Sequence, residues 1–177
     1  MTRDLRVGLD SNCLSYLIRV ASDGHAASAL LFVEAVALVR LWFYALGRFY
    51  VTATVARECS QIPVAGMNSL HQSFTSHTYW GVPLRDRQLV NKRVTALRSM
   101  HDGEGDCAVL AEAEDANFDV LLTCDKKLLR RKNFSHSTVA LRRPTEFWDQ
   151  LKVPRGIRPV VRPAPGSPLE AQVWWQW

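Results

Sequence analysis

Four acidic positions in this 177-residue chain stand where they could act together: Asp10, Glu58, Asp106 with Glu104 just ahead of it, and Asp125. Asp10 ends the apolar run LRVGLD, and Asp125 follows FDVLLT by two residues. Glu58 lies about one helical turn past FYVTA, and Asp106 stands 19 residues before Asp125. Carboxylates gathered at one place repel and raise each other's pKa unless a cation compensates. An all-oxygen donor set suits a hard ion, Mg²⁺ or Mn²⁺, better than zinc. Such an ion binds phosphate oxygens and activates water, so the chemistry suggested is metal-assisted phosphodiester hydrolysis. Each acid also has an ordinary role. Asp10 and Asp125 can cap helices, Asp106 suits the positive end of one, and Glu58 can be solvated.

The elements that must position these residues can be read from pattern. LRVGLD (5–10), FYVTA (49–53), FDVLLT (118–123) and STVAL (137–141) read as strands. SNCLSYLIRVA is helical in period, with Ser11 near its cap. Residues 26–47 read as one long helix, apolar nearly all round, ending at Gly47. Such a helix packs on two sides or meets another subunit. It is long enough to span a bilayer, but Glu34 and Arg40 interrupt it, so a buried helix is expected. Thr54 is placed to cap VARECSQI, which Pro63 and Gly66 stop. Residues 66–84 read as helix followed by loop. RDRQLVNKRVTALRSM (85–100) is amphipathic, with Leu89, Val90, Val94, Leu97 and Met100 on one side. HDGEGD turns into the helix CAVLAEAEDAN, Asp125 opens the basic helix KKLLRRK, and Pro144-Thr145 starts EFWDQL. Strands alternating with helices predict an α/β fold with a short, mostly parallel sheet of four or five strands. Ligands of such sheets gather outside the carboxyl ends of the strands, where Asp10 and Asp125 fall.

Composition narrows the partners. The chain carries +5 formal charge. Residues 126–162 alone hold 11 basic and 2 acidic side chains, so the rest is net acidic. A basic segment on an acidic body is a frequent pattern of nucleic-acid binders, although a solvated basic face looks the same. Lys126, Lys127, Arg130, Arg131 and Lys132 follow Asp125 directly, within reach of phosphates near the cut. At 47% hydrophobic and 22% charged, the chain is neither disordered nor fibrous. Cys13, Cys59, Cys107 and Cys124 contain no Cys-x-x-Cys pair, so small buried core residues are expected rather than a zinc site. His71, His77, His101 and His136 form no ligand spacing. The opening MTRDLRVGLDSN lacks an apolar signal region, and a cytoplasmic location is the expectation. From Val153 the chain turns Pro-rich and ends in WWQW, a tail (153–177) beyond a domain of residues 1–152.

VGLDSNCLSYLI, TATVARECS, GEGDCAVLAEAE and VLLTCDKKLL, in this order, resemble the PIN (PilT N-terminal) domain, most closely the ribonuclease toxins of the virulence-associated protein C type. The resemblance covers roughly residues 5–151, including STVAL and PTEFWDQL as closing strand and helix. It implies a PIN-like three-layer sandwich and a metal-dependent endoribonuclease, toxin of a toxin–antitoxin pair. One or two Mg²⁺ or Mn²⁺ ions would sit on Asp10, Asp106 and Asp125, with Glu58 assisting and Glu104 beside or instead of Asp106. Asn12 and Thr123 match the small polar positions near the first and last acids. RNA as substrate, a cognate antitoxin, a homodimer and products with 5′-phosphate and 3′-hydroxyl ends are implied likewise. Two other readings remain. A haloacid-dehalogenase-like phosphatase would want a second Asp where Asn12 stands, and a catalytically silent RNA-binding or scaffold module would keep the fold alone.

Overall fold

The structure is a computed structural model that describes residues 5–23, 29–61, 79–129 and 137–177, with the backbone alone for 29–31. In chain order the elements are β1 (Val7–Leu9), α1 (Ser11–Asp23), α2 (Ala29–Arg40), a π-helical turn (Leu41–Leu46), β2 (Phe49–Val51) and α3 (Ala53–Ser60). β3 (Tyr79–Gly81), α4 (Arg87–Arg98), α5 (Glu104–Asp115), β4 (Val120–Leu122), α6 (Lys126–Leu129), β5 (Ala140–Arg142) and α7 (Pro144–Leu151) follow. The five strands form one all-parallel sheet in the order β3-β2-β1-β4-β5. The α/β class expected from the alternation is therefore what the chain adopts, consistent with a three-layer sandwich.

β1 and β4 are buried along their whole length, which is why both read as unbroken apolar runs. They pair with Val7 opposite Val120, Gly8 opposite Leu121 and Leu9 opposite Leu122. Gly8 is required by close packing: a Cβ there would lie 2.4 Å from the Phe118 ring. One helical group joins α1, α2 and α7, and another joins α3, α4 and α5, with α1 also touching α3.

Several expectations change at this level. The long helix 26–47 resolves, within the described residues, into α2 and the π turn, stopped by Gly47 at φ +66°. Its two packing sides lie within the chain. α1 and α7 take one part, and the C-terminal tail takes another. Glu34 is not a lone interruption: it is buried and accepts from Thr145 N–H, Thr145 Oγ1 and Arg143, pinning the start of α7. Thr52, not Thr54, caps α3, its hydroxyl accepting from Val55 N–H. Tyr79–Gly81 is an edge strand where a loop was expected, and the helix expected just before it falls outside the described residues. The last strand begins at Ala140, later than STVAL suggested, and Leu89 is exposed rather than packed with Val90 and Leu97.

The tail has no helix or strand but is docked. Arg40 donates to the carbonyls of Trp174, Trp175 and Gln176 and lies 4.7 Å from the Trp177 ring. Trp175 meets Phe43 edge-on, and Trp177 meets Trp148. Among the described residues no helix is long and apolar enough to cross a membrane.

Candidate active site

The strand order reverses direction between β1 and β4: the chain builds outward to β2 and β3 on one side and to β5 on the other. The crevice outside the carboxyl ends of such a pair is where open α/β sheets place ligands. Asp10 leaves β1 there, its N–H donating to Leu122 O. Thr123 leaves β4 beside it. The register decides their meeting, since Leu9 pairs with Leu122 and the next residue of each strand must therefore be adjacent.

Asp10 is only 4% exposed. Its Oδ1 accepts from Ser11 N–H at 2.7 Å, and its Oδ2 accepts from Thr123 Oγ1 at 2.8 Å. Burial pushes its carboxyl above the ordinary carboxylate value. The Thr123 and Ser11 bonds pull it down, and the charges of Asp106 and Glu58 push it up again. Two of the other expected acids thus bear on Asp10. The carboxylate bonds the first N–H of α1 rather than the second or third, so Asp10 is not an ordinary side-chain cap.

Glu58, near the end of α3, brings Oε1 against Gly105; a Cβ on that glycine would stand 3.0 Å away. Asp106 occupies the first turn of α5, and its Oδ2 is hydrogen-bonded to His101 Nε2 at 2.6 Å. Gly103 makes the pairing possible. A Cβ there would lie 2.6 Å from Asp106 Oδ2 and 2.7 Å from His101 Nε2. The brace between α3 and α5 is Glu112, a buried carboxylate that accepts from Thr54 N–H and Thr54 Oγ1. It fixes the helix bearing Glu58 against the helix bearing Asp106.

The remaining expected residues are engaged differently. Asp125 spends Oδ1 on the N–H groups of Lys127 and Leu128, capping α6, and joins the network through its own N–H, which donates to Thr123 Oγ1. Glu104 turns away: it is 72% exposed in its side chain and pairs with Arg98 at 3.6 Å. Between the two candidates for the third acid, Asp106 is the one that bears on Asp10. Thr123, expected to touch substrate, is wholly buried and instead positions Asp10. Asn12 is exposed on the first turn of α1, and Lys126 and Lys127 are exposed on α6. Arg130, Arg131, Lys132, His71, His77 and His136 lie outside the described residues.

His101 and Glu112 were not anticipated. His101 carried no ligand spacing; the available signal was a histidine five residues before an acid across the glycine-rich HDGEGD turn. Glu112 is one of three acids in the run AEAED, and nothing in that run marks which of them is buried.

Among the described residues no group of three or more His, Cys, Asp and Glu side chains is closed around a common centre. The side chains rest in bonds of their own, Asp10 with Thr123 and Asp106 with His101. The donor chemistry still suits a hard cation, because Asp10, Glu58 and Asp106 offer only carboxylate oxygens and the repulsion that Asp106 and Glu58 exert on Asp10 is what such an ion relieves. No family model and no curated protein matches the chain.

Proposed function

We propose that this protein is a divalent-metal-dependent endoribonuclease whose cleavage centre is the carboxylate edge at Asp10. The observation that carries the reading is the Asp10 carboxyl at the sheet's switch point, pushed up first by its burial and then by the charges of Asp106 and Glu58. Asp10, Glu58 and Asp106 would hold Mg²⁺ or Mn²⁺, one ion or two. Bound there, such an ion neutralises phosphate oxygens and lowers the pKa of an attacking water. The rest is done by the chain's own residues. Thr123 holds Asp10 in one orientation, and His101 holds Asp106. Asp125 caps α6, which presents Lys126 and Lys127 to the phosphates flanking the cut. Their charge makes RNA affinity fall as salt rises. The resemblance of LDSN and LLTCD to the PIN domain supports the same chemistry. It adds the reading of a toxin with a cognate antitoxin, acting as a cytoplasmic homodimer.

Incubation with total cellular RNA and Mg²⁺ or Mn²⁺, with the cut ends mapped, tests this. The expected products carry 5′-phosphate and 3′-hydroxyl ends and vanish with a chelator. Salt-dependent RNA binding with no cleavage at any divalent concentration would establish the silent RNA-binding module instead.

A further inference from the structure

Cys13 and Cys124 are 111 residues apart in the chain, yet their sulfurs lie 3.7 Å apart. Cys13 is wholly buried in α1, one turn past Asp10. Cys124 is partly exposed in the loop between Thr123 and Asp125. Cys59 and Cys107 are both buried, and Cys107 donates to His101 O. A disulfide needs its sulfurs about 2.05 Å apart, so closure of the Cys13–Cys124 gap takes about 1.7 Å of approach.

We propose that Cys13 and Cys124 are an oxidative modification site, a thiol pair that hydrogen peroxide converts to a disulfide beside the carboxylate edge. The order of events follows from exposure. Cys124 Sγ, the accessible sulfur, attacks one peroxide oxygen; an S–O bond forms, the O–O bond breaks, and water leaves with the thiol proton. Cys13 Sγ then attacks the Cys124 sulfenic sulfur; the S–S bond forms, the S–O bond breaks, and the hydroxyl leaves as water with the Cys13 proton. Two thiols lose two electrons, and one peroxide becomes two waters. Drawing Cys124 toward α1 pulls on its neighbours Thr123 and Asp125, whose bonds to Asp10 and to each other set the site. Oxidation therefore lowers cleavage, a consequence that rests on the ribonuclease reading; the bond itself does not.

The test uses the full, reduced chain treated with hydrogen peroxide, then alkylated and mapped without reductant. The expected result is a fall from four free thiols to two, with the Cys13 and Cys124 peptides joined and released by dithiothreitol. Cys124→Ser is expected to keep Cys59 and Cys107 free and to yield no joined peptide. Four free thiols after treatment, a bond to another cysteine, or Cys124 passing to sulfinic acid while Cys13 stays free overturns the proposal. RNA cleavage followed in parallel is expected to drop and return with dithiothreitol; joined peptides with unchanged cleavage overturn the regulatory consequence. A protein that cuts no RNA even when reduced refutes the ribonuclease reading, while the peptide map still decides this one.

Discussion

Thr123→Val removes one oxygen from the centre of the site and keeps the side chain's shape. The hydroxyl makes two bonds, donating to Asp10 Oδ2 at 2.8 Å and accepting from Asp125 N–H at 3.0 Å, and Thr123 is 0% exposed. A bond to a charged group contributes about 1.5–3 kcal/mol and a neutral one about 0.5–1.5, so a loss of about 2–4 kcal/mol is expected. At about 2–4 °C per kcal/mol for a chain of this size, the melting temperature should drop by roughly 5–15 °C. The deficit should depend on pH. Asp10 already has its carboxyl raised in the fold, so its contribution is complete below the ordinary carboxylate value and is lost as pH rises through the raised one. Without the Thr123 bond the folded value rises further, so Thr123→Val should lie closest to the wild type in acid and furthest from it near neutrality. Urea unfolding across pH 4–8, with Thr123→Ser as the rescuing variant, measures this. A deficit below about 1 kcal/mol, or one equal at all pH values, would refute the role given to this hydroxyl.

Other outcomes follow from the same geometry. Asp10→Asn should raise the melting temperature of the metal-free protein at neutral pH, because burial, with the charges of Asp106 and Glu58, disfavours the ionised carboxyl that the amide replaces. Gly103→Ala, at an ordinary backbone φ of −73°, should break the His101–Asp106 bond and weaken Mn²⁺ binding in a calorimetric titration; Gly81→Ala, with no atom within 4 Å, should change neither binding nor stability. Truncation before Trp174 strips the carbonyl partners of Arg40 and should lower the melting temperature by several degrees, with α2 becoming accessible to protease.

How far the sequence alone could go depended on the kind of interaction. Four of the five strands were legible: β1, β2 and β4 are short β-branched or apolar runs, while β5 shares only Ala140 and Leu141 with the run STVAL that pointed to it. β3 was not: three residues, two of them exposed, at the sheet's edge carry no alternation. Thr52 precedes α3 and Thr54 stands in its first turn, both with capping chemistry, and only a partner decides between them. That partner, Glu112, is distant in sequence. Asp10 and Asp106 were legible as strand-end and first-turn acids. Thr123 was legible as a position but not as a role, because its burial follows from the β1–β4 register. The terminal tryptophans left the tail two fates, docking on a partner or packing back onto the domain; the second is what occurs, and its anchor could not be read because Arg40 meets Trp174 through backbone carbonyls that no residue pattern marks.

The central claim is that Asp10 is needed for divalent-dependent hydrolysis of RNA. The direct measurement compares wild type and Asp10→Asn, both confirmed folded by circular dichroism, on the same RNA with Mn²⁺ and with chelator. The account predicts cleavage by the wild type with Mn²⁺ alone and none by Asp10→Asn. Undiminished cleavage by Asp10→Asn, or wild-type cleavage that survives the chelator, would contradict it.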